Sequence, residues 1–267
     1  RNGMEIILTG LDIEEKANVF TNTLFNSVGG KEQFDEVSIQ LHRTDKHDAN
    51  TNEEAMASLV ISVKSKDPNL VGRLFSAKII ELALANIPGF FAQSGVKTSG
   101  PVIVYWPALV KSKYIKEIVH VDGKDIEVEP TSQLDLEEIY YQKEPVKLEK
   151  IEIKGERELY FGELFGTRSG DKGGCANLGV WAKNSQAFAF LYDFLTVDKL
   201  KDLLPDLQEF KIERFELANI NSLNFYIHDI LQDGVSSNNK KDGQAKSLGE
   251  YLRSKKIKVP ESIIGDL

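Results

Sequence analysis

The chain has 267 residues, 41% hydrophobic and 28% charged, with a formal charge of −8, a globular composition sufficient for one large or two ordinary domains. The acidic balance excludes general affinity for nucleic acid or anionic membrane, and no apolar run approaches the roughly 18 residues of a membrane span. A single cysteine, Cys175, excludes an intrachain disulfide and a cysteine-rich zinc site, which fits a reducing, cytoplasmic setting. The chain opens Arg1-Asn2-Gly3-Met4. Either three residues precede a natural start at Met4, or the chain is a piece of a longer one.

In chain order, Met4–Leu8 reads as a strand. Asp12 and Glu15 have the spacing of a capping box before a helix with Ile13, Ala17, Phe20, Leu24 and Val28 on one stripe, stopped by Gly29-Gly30. Glu36–Leu41 and Leu59–Val63 are strands by their period-two alternation. A second helix is predicted from Asp67-Pro68 through Ala85, ending at Pro88-Gly89. Val102–Trp106 is then expected to be the closing strand of a βαββαβ module.

Residues 111–156 interleave charges with single Ile and Val residues, and read as an exposed connector punctuated by Pro130 and Pro145. Asp122-Gly123 predicts a type I′ hairpin between Lys116–Val121 and Lys124–Glu129. In the last third, strands Leu159–Gly166 and Asn177–Ala182 flank a glycine-rich segment. Helices follow at Gln186–Phe194 and after the capping Thr196 to Leu204, then strands at Phe210–Leu217 and Leu223–Ile230. The parity of apolar residues shifts between Ile212 and Phe215, which suggests a bulge near Glu213. A helix over Gln244–Ser254 completes a ββαββα order. The expected fold is α+β: two ferredoxin-like, split-βαβ modules with antiparallel sheets, at 1–110 and 157–267, joined by the connector with its hairpin.

The chemically densest stretch is Arg168–Trp181, with four glycines. Glycine permits tight turns and close backbone approach. Arg168 offers a planar fork for carboxylate or phosphate and Lys172 a point charge, while the Gly173-Gly174 amides can form an anion-binding nest. Asp171 is a candidate general acid or base, or a salt partner of Lys172 or Arg168. Ser169 is a ligand contact or a turn residue, and Asn177 an orienting group. No Walker or dinucleotide spacing is present. By strand alternation, Asn177, Gly179 and Trp181, with Asn224, Tyr226 and His228, share the sheet face opposite the helices. That face is either a pocket floor or an interface with another module or subunit. No metal site is expected: His42 and His47 flank Asp45 in a polar loop and share no helical face. No cofactor is implied either.

Arg168–Trp181, with Tyr105–Val110 upstream and Leu248–Arg253, Phe194–Pro205 and Phe215–Phe225 around it, resembles the acyclic terpene utilisation family, AtuA. The resemblance extends over nearly the whole chain. It implies that the chain corresponds to the end of an amino-terminal α/β domain plus a whole ferredoxin-like domain. It also implies a place in catabolism of branched acyl-CoA compounds of the citronellol and geraniol type, alongside acyl-CoA carboxylases as pathway partners. Arg168, Ser169, Asp171, Lys172, Gly173, Gly174 and Asn177 fit the family motif, while Cys175 replaces a more usual Asp or Asn. On this reading Asp171 and Lys172 are the catalytic candidates, and Arg168, Ser169, Gly173, Gly174 and Asn177 bind a carboxylate or acyl-CoA thioester. Hydration, lyase and acyl-transfer chemistry all remain open. The protein is expected to be a homo-oligomer; the alternative is a non-catalytic domain for subunit or interdomain docking.

Overall fold

The computed structural model describes residues 1–84, 87–93, 97–128, 146, 148, 149 and 155–264, and the chain divides into two compact units, Arg1–Ile103 and Val104–Leu267.

In the first unit β1 (Asn2–Thr9), α1 (Ile13–Ser27), β2 (Glu36–His42), β3 (Met56–Lys64), α2 (Phe75–Leu84) and β4 (Phe90–Ala92) follow one another in βαββαβ order. The sheet runs β2-β3-β1-β4 with every neighbouring pair antiparallel. Strands β1 and β2 are therefore parallel with β3 between them, the split arrangement expected from the sequence. Period-two alternation buries Met4, Ile6 and Leu8 with Leu59, Ile61 and Val63. Ala17, Phe20 and Leu24 of α1 and Phe75 and Ile79 of α2 cover them. Each large side chain so buried contributes about 1.5–3 kcal/mol.

Several local expectations change. Asp12 sits in the left-handed region at φ 58° and its side chain caps nothing, so the Asp12–Glu15 capping box does not form. The α1 stop is as read: Gly29 takes φ +92°, and the Gly30 N–H closes on the Phe25 carbonyl at 2.8 Å. The helix starting near Asp67 is broken at Gly72, whose φ −88°, ψ −122° is not helical, so regular α2 begins only at Phe75. Ala85 lies outside the described residues. The fourth strand is Phe90–Ala92, not Val102–Trp106. The Pro88-Gly89 turn brings the Gly89 carbonyl onto the Thr9 N–H at 2.8 Å, which zips the next residues onto β1. Residues 102–106 join no sheet, with Trp106 85% exposed; Pro101 and Pro107, lacking N–H groups, bracket them.

The hairpin forms as predicted, with β5 (Glu117–Val121) paired to β6 (Lys124–Val128) through Asp122 and Gly123, both at positive φ. All its residues are exposed, including Ile118, Val121 and Ile126. Pro130 and Pro145 lie outside the described residues.

The second unit continues with β7 (Glu156–Tyr160), the single turn α3 (Phe161–Leu164), β8 (Phe165–Lys172), β9 (Cys175–Ala182), α4 (Ser185–Phe194), α5 (Val197–Leu203), β10 (Ile212–Leu217), β11 (Ser222–Ile227), α6 (Leu248–Arg253) and β12 (Lys256–Pro260). Asn184 caps α4 by accepting the Ala187 N–H at 2.8 Å, and Thr196 caps α5 by accepting that of Lys199 at 3.1 Å. The sheet runs β10-β11-β9-β8, all antiparallel. Strands β9 and β10 thus run parallel with β11 between them, joined through α4 and α5. The edge position that β4 holds in the first sheet belongs here to β8, which comes before the other strands rather than after them. Helix α6 leads instead into β12, which pairs with β7 outside the main sheet. The sequence pattern did not reveal that pair.

Leu178, Val180, Leu223, Phe225 and Ile227 are fully buried beneath Phe188, Leu191, Leu200 and Leu252. Strand β10 pairs with β11 residue for residue from Ile212 to Leu217, so there is no bulge at Glu213. The parity shift has another cause. Arg214 and Glu216 point toward the helices, where they form a 2.9 Å ion pair, and Arg214 lies over the Tyr192 ring. Phe215 and Leu217 occupy the opposite face, 47% and 41% exposed.

Candidate functional site

The Arg168–Trp181 stretch is mostly strand. Strand β8 runs to Lys172 and β9 begins at Cys175, leaving a two-residue turn at Gly173-Gly174. Gly173 takes φ +64°, the conformation a first turn residue needs in this hairpin class. Alternation then divides the motif between two sides of the sheet. Ser169 and Asp171 lie on the helix side with Leu178 and Ala176 as cross-strand partners. Arg168 and Lys172 belong to the opposite side, across from Gly179 and Cys175. The candidate residues therefore do not converge as one cluster.

Ser169 is 9% exposed, and its hydroxyl accepts the Gly249 N–H at 2.9 Å and donates to the Lys246 carbonyl at 3.4 Å. It caps the start of α6 from a strand, satisfying a helix-terminal donor that Ser247, with no side-chain cap bond, leaves open. Asp242 holds the same junction. Its carboxylate accepts from Lys246 N, Ser247 N and Ser247 Oγ at 2.7–2.8 Å. Burial pushes that carboxyl up, but these hydrogen bonds outweigh it and hold it below the usual aspartate value.

Packing accounts for two of the four motif glycines, Gly173 and Gly174, and for Gly166 and Gly249 beside it. A Cβ on Gly174 would run into the Gln232 carbonyl oxygen, one on Gly166 into the Trp181 ring, and one on Gly249 would lie 2.7 Å from Thr167 Oγ1. Gly173 faces the Tyr105 ring, where a Cβ would sit 2.8 Å from Cε1. A Cβ on Gly170 would meet only the flexible end of Lys246, at 3.1 Å, and Gly179 has only ordinary contacts at 3.6 Å and beyond.

Two adjoining hollows open at the hairpin tip. One, of about 440 Å³, is lined by Tyr105, Asp171, Lys172, Gly173, Gly234 and Val235. The other, of about 640 Å³, is lined by Val104–Pro107, Lys172, Gly174, Cys175, Tyr226, Asp229, Gln232 and Asp233. Tyr105 and Lys172 border both. The strap 104–107 is fixed where the Tyr105 N–H meets the Asp233 carbonyl at 3.2 Å, and the turn is fixed by Leu231 N–H to the Gly174 carbonyl at 2.8 Å. Lys172 Nζ reaches the Asp171 carbonyl at 3.1 Å, and Asp171 has Lys246 Nζ at 3.8 Å. Asn177 instead pairs with Asn224 at 3.3 Å on the open sheet face. Arg168 makes no ion pair among the described residues and is exposed.

Sequence reasoning missed Tyr226 and Cys175 as one pair at this tip. The Tyr226 hydroxyl is held above the ordinary phenol value, first by its hydrogen bond with the Cys175 side chain and then by burial, so it stays protonated at neutral pH. The Asp229 N–H also donates to Cys175 Sγ at 3.5 Å. The signal lay in strand register, since β9 and β11 pair and place Tyr226 two residues along from Cys175. Among the described residues, no three His, Cys, Asp or Glu side chains gather as metal ligands. No helix among them is long and apolar enough to cross a membrane. His42 ends β2 with its Nε2 buried and without a hydrogen-bond partner.

Comparison with protein families matches residues 1–121 to the acyclic terpene utilisation family protein AtuA and residues 161–258 to the AtuA ferredoxin-like domain. The chain belongs to the AtuA family. The two matches are consecutive and take in both compact units, and the second covers β8–β9, α6 and most of β12. No characterised protein and no solved structure matched. Family membership carries a role in acyclic terpene utilisation.

Proposed function

We propose that this AtuA protein binds a short branched carboxylate or its acyl-CoA thioester at the tip of the β8–β9 hairpin. The observation that carries the reading is that Lys172 and Tyr105 border both hollows, and that the strap Val104-Tyr105-Trp106-Pro107 lines the larger one, together with Asp229 and Asp233. A terpenoid acyl group has that division: an anionic or oxyanionic head and a branched hydrocarbon tail. Lys172 would hold the head as a point charge, and the strap would cover the tail. The protonated Tyr226 hydroxyl is a donor for the thioester oxygen, the type of contact that stabilises a developing oxyanion. Asp171, at the rim of the smaller hollow, is the acid or base candidate. Arg168 and Ser169 take no part at the tip in this reading, since Arg168 faces the open sheet further along β8 and Ser169 caps α6.

Titration calorimetry with branched acyl-CoA thioesters and the free acids tests the site. Lys172→Met should weaken binding at least tenfold, about 1.4 kcal/mol, without loss of folding. Ligand affinity and turnover unchanged in both Lys172→Met and Asp171→Asn would refute it.

A further inference from the structure

The open face of the second sheet has two unlike halves. On β10 it is raised by Phe215 and Leu217, large apolar side chains pointing away from the core. On β9 and β8 it is low: Gly179 leaves a hollow beside Asn224, and the Trp181 ring lies flat over Gly166 as a broad apolar plate, 42% exposed. Arg168, unpaired among the described residues, borders the hollow across from Gly179. From β8 to β10 the register sets Arg168, Gly179, Asn224 and Phe215 in one row, and Gly166, Trp181, Ser222 and Leu217 in the next.

We propose that this face is a self-complementary interface that takes a second copy of the same chain. A two-fold axis along the strands exchanges the low half with the raised half. It sets Leu217 of the partner subunit on the Trp181 plate and Phe215 of the partner subunit against the Arg168 guanidinium, a cation–π pairing. Asn224 of the partner subunit then comes over the Gly179 hollow. Because the axis repeats each contact, the match is isologous. Charged groups border both halves. β8 brings Arg168, and Lys246 Nζ lies at the same edge by Gly170, while β10 brings Glu213 on the open face, held in its own chain by Lys211 at 3.0 Å and His228 at 2.8 Å. Lys211, and then His228, hold the Glu213 carboxyl below its usual value, so it is ionised at neutral pH. Four strands at about 4.8 Å spacing and roughly six residues of length give about 400 Å² per copy, about half the area per partner of a standard stable complex, so the dimer is weak and transient.

Sedimentation of the whole chain from about 10 µM to about 1 mM tests this, spanning the affinity such an area supports. The expected result is a monomer–dimer equilibrium rising toward twice the 29.9 kDa chain mass. Gly179→Val fills the hollow, and a Cβ there meets nothing closer than 3.6 Å in its own chain, so the variant should fold yet stay monomeric at every concentration. Leu217→Asp, at an exposed position, should do the same and serves if the first variant folds poorly. A wild type that is monomeric throughout overturns the proposal. So does a dimer that both folded variants leave intact, since association would then use another surface.

Discussion

The sharpest test of how the motif works is Ser169→Ala. A ligand-binding serine and a capping serine give opposite results. The side chain lies 9% exposed with its hydroxyl between the Gly249 N–H at 2.9 Å and the Lys246 carbonyl at 3.4 Å. Truncation removes a cap worth about 1 kcal/mol and leaves a buried N–H without a partner, and together these give about 1–2 kcal/mol. With a urea m-value of about 2 kcal/mol/M, the midpoint should fall by about 0.5–1 M. The chain's two tryptophans, Trp106 and Trp181, both lie in the second unit, so their fluorescence reports that unit's unfolding alone. Ligand affinity at the tip should be unchanged once the protein is folded. An unaltered midpoint with lost binding would refute the capping role and return Ser169 to the site.

Three further outcomes are expected. Gly174→Ala should destabilise by about 2 kcal/mol because its Cβ meets the Gln232 carbonyl, whereas Gly179→Ala should leave the melting temperature within about a degree or raise it; thermal unfolding of both checks this. Asp242 has a depressed folded-state pKa, so its contribution to stability is complete above the unfolded value near 3.8 and is lost as pH falls below it. Asp242→Asn should therefore flatten the acid limb of a stability–pH curve measured by urea titration. Arg214→Ala should destabilise the second unit by roughly 1–3 kcal/mol, because it removes the ion pair to Glu216, whose side chain is 13% exposed, and takes the guanidinium off the Tyr192 ring; chemical denaturation measures it.

The order of elements was legible because apolar periodicity is local: the α1 stripe, the cap at Thr196, and the Asp122-Gly123 turn all behave as their residues dictate. What failed was non-local. Val102–Trp106 has strand composition, but Phe90–Ala92 reaches β1 first through the Gly89 turn. A bulge at Glu213 assumed that Phe215 and Leu217 must be core; a half-buried Arg214–Glu216 pair holds the helix side instead. The motif was visible as a dense cluster, yet two-residue alternation, worked through for the neighbouring strands and not for β8, divides it. The glycines looked like a cradle for an anion, and the two at the turn, Gly173 and Gly174, prove to be places where another part of the chain comes too close for a side chain.

The placement of β8 ahead of its sheet, with β12 returning to β7, has a consequence for biosynthesis. The first unit's strands lie within its first 92 residues, and it can complete its sheet early. The second unit closes between residues 80 apart at Ser169 and Gly249, and between Glu156 and Pro260 at β7–β12. Such long-range closure is slow, and the β7–β12 pair cannot form until β12 has left the ribosome. Until α6 emerges the tip lacks it, although β8 and β9 can already pair with β11 and β10 in the sheet. A nascent chain released before Lys256 should thus hold a finished first unit and an unfinished second, a protease-sensitive species in which only the first half resists digestion.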